Sequence, residues 1–320
     1  MYDVAAIGEL LIDFSPHGVS EQGNTLYERN PGGAPANVLA ALSRFGKKTV
    51  FIGKVGNDPF GRFLQETLMH HGVDTKGLVF TDEVNTTLAF VHLSDGGERA
   101  FHFYRKPGAD LTLREEEVDY DLIASADAFH FGSVSMTGEP ARSVTWRAVE
   151  YAKRRGKLVS FDPNLREPLW TSLELARAVI SEGLRHADVL KLSEEELVFL
   201  TGCGDAVEGC RTLAQRYDIP LIFVTLGSRG CHYRVYDNVG TVPGVHANPV
   251  DSTGAGDAFL GAMLYQLLES PDLFRSLSDS EIRDRVRFAN AAGALATERK
   301  GAIPALPGLE EVQRRLRRQA

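Results

Sequence analysis

Short runs of apolar and β-branched residues alternate along the chain with longer runs in which apolar residues recur every three or four positions. The short runs predict buried strands and the longer runs predict amphipathic helices. The predicted strands lie at 4–8, 49–53, 127–131, 158–161, 187–192 and 220–225. The predicted helices lie at 34–45, 58–71, 140–154, 172–185, 193–201, 206–217, 253–268 and 279–298. Strands that alternate with helices form βαβ units, so we predict a doubly wound α/β fold with a mostly parallel sheet.

Two stretches without a helical period interrupt this alternation. Residues 14–30 predict two short strands around Gly18 to Gly23, and residues 86–104 predict two strands joined by a turn at SDGGE (94–98). A second, smaller sheet of this kind is typical of a lid that closes over a ligand. The predicted domains are a large α/β domain of residues 1–13, 31–85 and 107–320 and a β-sheet lid of residues 14–30 and 86–106.

The composition narrows the class of partner. The 320 residues are 43% apolar and 24% charged, with a formal net charge of −8. Nucleic acid and anionic membranes bind basic surfaces, so we expect neither as a partner. The basic stretch RRLRR at 314–318 is more simply explained as the solvated face of a C-terminal helix.

The cysteines and the hydropathy indicate a cytoplasmic protein. Cys203, Cys210 and Cys231 form no C-x-x-C pair and leave an odd count, which favours a reducing compartment. The N-terminus has no basic region before its first apolar run, and no apolar run approaches 18 residues. We therefore expect neither a signal peptide nor a transmembrane helix.

The segment DSTGAGDAFLGAML at 251–264 carries the strongest chemical signal. Gly254 and Gly256 allow a tight bend at the start of a helix, where the exposed N–H groups of residues 254–256, Ala255 included, and the helix dipole form an anion hole. Asp257 follows directly and would accept the proton of an attacking hydroxyl during phosphoryl transfer. The alternative is an ordinary helix N-terminus with a favourably placed aspartate.

The other common phosphate-binding motifs do not occur in the chain. There is no G-x-x-x-x-G-K-[ST] sequence, and the first predicted strand is followed by GELLIDF rather than G-x-G-x-x-G. The sequence therefore lacks the main evidence that would indicate a P-loop enzyme or a dinucleotide-dependent dehydrogenase.

A second glycine-rich segment, NPGGAPANVLAALSRFG, covers 30–46. Gly32 and Gly33 permit close approach of a ligand to the backbone, and Pro35 suits the first turn of a helix. Asn37 offers a donor and an acceptor, which suits sugar hydroxyls. Taken alone, the segment could equally be a capped helix.

Together these segments resemble the two signatures of the ribokinase family, also called the PfkB carbohydrate kinases. The blocks that carry the resemblance are GGAPANVLAALSRFGKKTVFIGKVGNDPFG (32–61), FYRKPGAD (103–110), EPARS (139–143), SFDPNLREPLW (160–170), VLKLSEEELVFLTG (189–202), VTLGSRG (224–230) and DSTGAGDAFLGAML (251–264). They span residues 3 to about 307, and the five intervening blocks are similar to the fructokinase branch. The resemblance implies a ribokinase-like fold in which a sugar lies between sheet and lid and ATP binds in a groove near the C-terminal third.

The resemblance also implies sugar-binding residues. Asp13 would bind hydroxyls, with Gly32, Gly33 and Asn37 beside it; its alternative is a solvated strand end. The sugar would also be bound by residues just past the strand KLVSF, namely Asp162, Asn164 and Arg166. Open α/β sheets bind ligands at this end of a strand. Arg105 ends a lid-like strand, so closure would bring it over the substrate or its new phosphate. Either arginine could instead form a structural ion pair.

The nucleotide site is implied by three segments. The turn VTLGSRG supplies Thr225, Gly227 and Gly230 around the ATP phosphates and ribose. Asn290 matches a position that lines the adenine pocket, although a helical asparagine is more often solvated. Lys191 could meet the phosphates, and its alternative is a surface lysine.

Three departures from the family pattern bear on metals and on the sugar. In SEEE, Ser193 replaces the asparagine of the N-x-x-E segment that organises magnesium, and Glu196 supplies the carboxylate; we still expect Mg²⁺ to enter with ATP. Ala305 stands where ribokinases can have a hydroxyl ligand for a monovalent cation, so a K⁺ ion would rely on Asp251 and backbone carbonyls. Leu11 replaces a ribokinase asparagine, which argues against ribose.

The sequence therefore predicts a fructokinase that forms fructose 6-phosphate and ADP from ATP and D-fructose. One alternative is 2-keto-3-deoxygluconate kinase, whose acidic substrate would need additional cationic contacts. A sugar-binding protein without catalysis is a second alternative, although it would not need Asp257. The exposed face of a small sheet and the resemblance both favour a homodimer.

Overall fold

The computed structural model describes residues 1–93, 99–269 and 276–318. The strands, in chain order, are β1 (Tyr2–Ile7), β2 (Leu11–Val19), β3 (Thr25–Gly32), β4 (Thr49–Gly56), β5 (Val73–Thr81), β6 (Leu88–Leu93), β7 (Arg99–Tyr104), β8 (Ala126–Gly132), β9 (Leu158–Asp162), β10 (Val189–Ser193), β11 (Leu221–Thr225), β12 (Cys231–Val235) and β13 (Asn238–Val242). The α-helices are α1 (Ala34–Arg44), α2 (Pro59–His70), α3 (Tyr120–Ala124), α4 (Ala141–Arg154), α5 (Leu173–Leu184), α6 (Glu194–Thr201), α7 (Ala206–Tyr217), α8 (Ala255–Glu269), α9 (Asp279–Ala296) and α10 (Leu309–Arg318).

The larger sheet has the strand order β13-β12-β11-β10-β9-β8-β1-β4-β5. Its strands run in one direction except for β12, which pairs antiparallel with β11 and with the edge strand β13. The chain starts at β1 and builds outward in both directions, so the order reverses between β1 and β8. In open α/β sheets, ligands bind at the carboxyl ends of the strands beside such a reversal.

Helices cover both faces of this sheet because successive side chains of a strand point in opposite directions. Val4 and Ala6 of β1 pack in the core that contains α1, α8 and α9. Ala5 and Ile7 of the same strand pack in the core that contains α4 and α5. All four side chains are at most 1% exposed. This explains why the strand sequence is apolar throughout rather than alternating.

The smaller sheet has the order β3-β2-β6-β7. β2 and β6 run parallel, and each pairs antiparallel with its hairpin partner. On the side of β2 towards β3, Asp13 lies opposite Asn30, and towards β6 it lies opposite Ala89. The two sheets confirm the predicted fold class, a mostly parallel α/β sheet with a small second sheet.

The prediction missed β5, β12, β13 and α3. β5 and β13 are the two edge strands of the larger sheet, and these half-exposed strands carry polar residues and lack the continuous apolar run of an interior strand. β12 (CHYRV) lies beside β13 and alternates apolar with polar residues. The five-residue α3 is too short to show a helical period. The turn predicted at 94–98 lies outside the described residues. In the described part of the chain, no helix combines the length and apolar character needed to cross a bilayer.

Candidate active site

Residues 254–257 form a tight turn that leads into the first turn of α8. Gly254 has a φ of 77°, a left-handed conformation that glycine adopts without strain. A Cβ atom there would lie 3.1 Å from Ala302. Helical bonding begins where the amide of Ala258 donates to the carbonyl of Gly254 at 2.8 Å. The amides of Gly256 and Asp257 therefore belong to the first helical turn, which offers them no acceptor within the helix and forms an anion-binding geometry.

Asp251 fixes the loop that precedes this turn. Its Oδ1 accepts from the amide and the hydroxyl of Thr253 at 2.9 and 2.7 Å. Its Oδ2 accepts from the amide of Gly301 at 3.1 Å. A K⁺ ion at this carboxylate would share its oxygens with these three donors.

Asp257 is buried at the start of α8, with 8% of its surface exposed. Its Oδ2 accepts a hydrogen bond of 2.7 Å from Nδ2 of Asn37 on α1. Burial, reinforced by the charge of Asp162, raises the pKa of Asp257 to about 6. Lys191, Asn37 and Arg166 act against that rise. A carboxylate with such a pKa is ionised at neutral pH and still basic enough to accept a proton.

Lys191 is buried on β10, so the surface-lysine alternative is wrong. Its Nζ lies 3.0 Å from Oδ2 of Asp162 at the end of β9. A Cβ atom on Gly256 would lie 2.8 Å from the same Nζ, so the ammonium group lies against the start of α8. Burial alone would lower the pKa of Lys191, but the surrounding carboxylates of Asp162, Glu196 and Asp257 raise it above its ordinary value. The lysine is therefore a fixed positive charge beside the anion-binding turn.

Glu196 closes this cluster from α6. Its Oε1 accepts from the amide of Leu165 and its Oε2 from the amide of Ser193, each at 2.7 Å. Burial raises the pKa of Glu196, while Lys191 acts to lower it. The serine that departs from the family pattern thus caps α6 in a reciprocal capping box.

Asp13 lies on β2, an interior strand of the small sheet. Burial raises the pKa of Asp13 to about 7; Arg166 acts to lower it and Asp251 to raise it. A Cβ atom on Gly32 would lie 2.2 Å from Oδ2 of Asp13, so only glycine leaves the carboxylate its position. Because Arg166 also acts on Asp257, this arginine links the Asp13 side of the site to the start of α8.

Gly33 and Asn164 have positive φ angles near these groups. Gly33 has a φ of 123°, and Asn164, in the loop after β9, has a φ of 48°. A Cβ atom on Gly33 would lie 2.3 Å from the carbonyl oxygen of Glu9. Glycine is thus needed at positions 32 and 33 because larger residues would collide with neighbouring atoms, whether or not a ligand is bound.

Glu9 was not identified from the sequence as a site residue. Its side chain is buried, its Oε1 accepts from the amide of Ala34 at 2.8 Å, and its Oε2 is buried without a hydrogen-bond partner among the described residues. Burial raises the pKa of Glu9 to about 7. The available signal was a lone carboxylate inside the apolar run VAAIGELLI (4–12).

Arg105 forms the structural ion pair that the sequence analysis left open as its alternative. Its guanidinium is buried, and Nε lies 2.9 Å from Oδ2 of Asp110. Nη1 donates to Oγ1 of Thr137 at 2.7 Å, and Nη2 to the carbonyl of Val134 at 3.0 Å. In this conformation the guanidinium is engaged by protein groups rather than directed at a ligand.

A cavity of about 540 Å³ adjoins the start of α8 on the other side. Four of the five residues predicted for the nucleotide line it, Thr225, Gly227, Gly230 and Asn290, whereas Lys191 does not. Ala255 and Gly256 line it too, so the cavity reaches the anion-binding turn. The sequence analysis did not identify the loop 244–249, Phe259 or Gly293, which also contribute.

Asn290 is buried on α9 and not solvated. Its Nδ2 donates to the carbonyls of Val242 and Pro243 at 3.2 and 3.1 Å. The asparagine therefore anchors the chain that leaves β13 and forms one wall of the cavity.

Within residues 1–93, 99–269 and 276–318, no three His, Cys, Asp or Glu side chains form a group that could hold a metal ion. Oδ1 of Asp162 is buried and has no hydrogen-bond partner in this part of the chain. This acceptor lies in the charge cluster of Lys191 and Glu196. It fits a cation or a water molecule bound to one.

Comparisons with known proteins agree with this geometry. A family model described as pfkB family carbohydrate kinase matches residues 1–308. Fructokinase-1 of Zea mays is 46% identical over 312 residues, which cover 97% of this chain and 96% of the relative. The structure of a fructokinase from Xylella fastidiosa with bound ATP has a TM-score of 0.91 and 37% identity, covering 100% of this chain and 99% of that chain. A double-mutant fructokinase from Vibrio cholerae O395 bound to fructose, ADP and potassium ion has a TM-score of 0.87 and 39% identity, covering 99% and 98%.

Proposed function

Because this chain belongs to the pfkB family of carbohydrate kinases, we propose that it transfers the terminal phosphoryl group of ATP to the primary hydroxyl of D-fructose. The products are fructose 6-phosphate and ADP. The observation that carries the proposal is the 2.7 Å bond between Asn37 and Asp257. It joins the segment assigned to the sugar with the helix start assigned to the phosphoryl group.

In this reaction Asp257 takes the proton from the 6-hydroxyl as that oxygen attacks the phosphorus. The amides of Gly256 and Asp257, which have no acceptor within the helix, and the ammonium group of Lys191 stabilise the charge on the transferred phosphoryl group; the amide of Ala255 already donates to the carbonyl of Ser252 at 3.2 Å. Asn37 holds the carboxylate of Asp257 in position, which keeps the attacking oxygen and its base aligned.

The remaining residues bind the sugar on one side of the start of α8 and the nucleotide on the other. On the sugar side, Asp13, Asn164 and Arg166 bind hydroxyls, with Gly32 and Gly33 giving room, and Asp162 orients Lys191. On the nucleotide side, ATP fills the 540 Å³ cavity, with Thr225, Gly227 and Gly230 around the phosphates and ribose and Asn290 behind the base.

Magnesium would be held by the ATP phosphates, by water, and by Glu196 with the unpaired oxygen of Asp162 behind that water. When bound, the ion neutralises charge on the phosphates. Potassium at Asp251 is a further proposal, supported by the potassium ion bound to the Vibrio cholerae fructokinase.

The charges of the site favour a neutral sugar over the acidic 2-keto-3-deoxygluconate. Among the assigned residues the cations are Arg105, Arg166 and Lys191. Arg105 is paired with Asp110 and Lys191 with Asp162, and the charge of Arg166 acts on the carboxylates of Asp13 and Asp257. An acidic sugar would need a cation that is not already neutralised. The relatives named fructokinase support the same choice.

A substrate panel tests the sugar. We expect kcat/KM for fructose to exceed that for 2-keto-3-deoxygluconate and for ribose by roughly tenfold or more, because a buried polar site rejects substrates that leave its groups unpaired. Coupled detection of ADP measures all three, with purified Asp257→Asn protein as the blank for contaminating kinases. A preference for 2-keto-3-deoxygluconate would establish the alternative, and equal rates would contradict both. Sugar binding by calorimetry without ADP release would indicate a binding protein.

We further propose a cytoplasmic homodimer. The free cysteines Cys203, Cys210 and Cys231 support a reducing compartment. The small sheet exposes Val19, Leu26 and Tyr104 at 66%, 46% and 63%, an apolar surface that a second subunit could cover. Light scattering should give twice the 35.1 kDa chain mass; a monomer at micromolar concentration would refute the dimer.

A further inference from the structure

Asp110 joins the two ends of the β6–β7 hairpin. Thr87 immediately precedes β6 and Arg105 immediately follows β7. The Oγ1 of Thr87 donates to Oδ1 of Asp110 at 2.5 Å. On the other oxygen, Nε and Nη2 of Arg105 lie 2.9 and 2.5 Å from Oδ2 of Asp110. One carboxylate thus holds both points at which the hairpin leaves the larger domain.

This group, which we call the hinge cluster, comprises Thr87, Arg105, Asp110 and Thr137, each at most 8% exposed. Its packing is tight: a Cβ atom on Gly108 would lie 1.7 Å from Oγ1 of Thr87. Breaking a buried ion pair by removing one partner is strongly unfavourable because the other charge stays buried. The cluster is therefore a rigid connection.

The hinge cluster is tied to the larger sheet through Arg105. Its contacts with Thr137 and with the carbonyl of Val134 reach the 3₁₀ helix Val134–Thr137, which follows β8. The hairpin is thus fixed relative to the carboxyl end of a central strand of the larger sheet.

Thr87 also fixes the strand that carries Asp13. The carbonyl of Thr87 accepts a 3.1 Å bond from the amide of Ile12. The next pairs of the same ladder are Ile12 with Leu88 and Asp13 with Ala89. A shift of Thr87 therefore shifts the backbone beside Asp13.

A second connection runs through Glu9 to the catalytic helix. Asp110 and Arg105 both act on the charge of Glu9, and Glu9 accepts from the amide of Ala34 at the start of α1. One turn further, Asn37 of the same helix contacts Asp257. The hinge cluster is thus connected to both carboxylates that must meet the sugar. It reaches Asp13 through Thr87, and it reaches Asp257 through Glu9 and the helix α1.

We propose that Asp110 is a positioning residue for sugar binding. It sets the small sheet, and with it Asp13, at the distance from Asp257 at which a sugar is held. Arg105 then acts through Asp110 and not as a direct ligand. The inference rests on the proposed function, since fructose is the probe.

The test compares Asp110→Asn and Thr87→Val with two matched controls. Thr87→Ser keeps the hydroxyl that Thr87→Val removes. Glu117→Gln removes a carboxylate from another ion pair, partly buried, in which Nζ of Lys54 lies 2.6 Å from Oε1 of Glu117. Fructose KM, ATP KM and kcat are measured for each, with the free energy of unfolding measured in parallel.

We expect fructose KM to rise about tenfold or more in Asp110→Asn and Thr87→Val, since small misplacements of a substrate-holding group have large effects. Values of kcat at saturating fructose and of ATP KM should stay within about threefold, and both controls should keep the original fructose KM. Because Thr87→Val keeps the Arg105 ion pair, it remains informative if Asp110→Asn fails to fold.

Unchanged fructose KM in Thr87→Val, an equal rise in Glu117→Gln, or a fall in kcat alone would each overturn the inference. If the unmodified enzyme did not phosphorylate fructose, the proposed function would fail, whatever the variants do. The two failures are thus separate.

Discussion

An Asp257→Asn variant is expected to lose turnover by roughly 10²–10⁴-fold, the range that general-base catalysis contributes. The amide keeps the size of the side chain and can still accept the 2.7 Å hydrogen bond from Asn37. It cannot take the proton of the attacking hydroxyl. Calorimetry should therefore show fructose and ATP binding close to that of the unmodified enzyme while kcat falls.

The pH profile gives this prediction its second measurement. With the pKa of Asp257 at about 6, the base is protonated below that pH, so kcat at saturating fructose should fall about tenfold per pH unit as the pH drops and should level off above it. The measured quantity is kcat rather than kcat/KM because Asp13, which binds the sugar, has a pKa of about 7 in the free enzyme. The residual activity of Asp257→Asn should lack this acidic limb. Asp205→Asn, the same change at the start of α7 and outside the site, should leave both kcat and the limb intact. Near-normal kcat in Asp257→Asn would remove the base assignment.

Local sequence signals were sufficient for the fold class, and they selected the two glycine-rich segments, 30–46 and 251–264, that meet at the candidate site. The interior strands are mostly apolar because both faces are covered, with Lys54 of β4 and Lys191 of β10 as exceptions, and Gly254 marks a helix start that needs a left-handed residue. Asn37 and Asp257 lie 220 positions apart, so their hydrogen bond could not be derived from spacing. Each was nevertheless identified separately, from the glycine-rich segment that contains it.

The contacts that the sequence analysis missed are those set by tertiary packing. Lys191 could be a surface lysine or a phosphate ligand until β10 was placed between β9 and β11, where its side chain is buried against Asp162. Glu9 is a single carboxylate within an apolar run, and nothing local distinguishes a helix cap from a solvated strand end. Asp110 had a usable signal, since an opposite charge lies five residues before it across a Pro-Gly turn in FYRKPGAD.

A Gly254→Ala variant is expected to lose about 10²-fold in kcat, because the anion-binding turn cannot keep its shape. The φ of 77° at this position costs an L-residue roughly 1–2 kcal/mol, and the new Cβ would lie 3.1 Å from Ala302. A small shift of the amides of Gly256 and Asp257 then weakens their bonds to the transferred phosphoryl group, and loss of one such donor is typically worth 10²–10³-fold.

Gly202→Ala is the matched control for this change. Gly202 ends α6 with a φ of 73°, and a Cβ atom there would meet nothing within 4 Å. It therefore carries the same backbone penalty, about 1–2 kcal/mol, without a contact near the site. Both variants should lose similar unfolding free energy in denaturant titrations, while only Gly254→Ala loses kcat. Equal kcat in the two variants would mean that the turn at 254–257 has no part in stabilising the transition state, and catalysis would then rest on Asp257 and Lys191 alone.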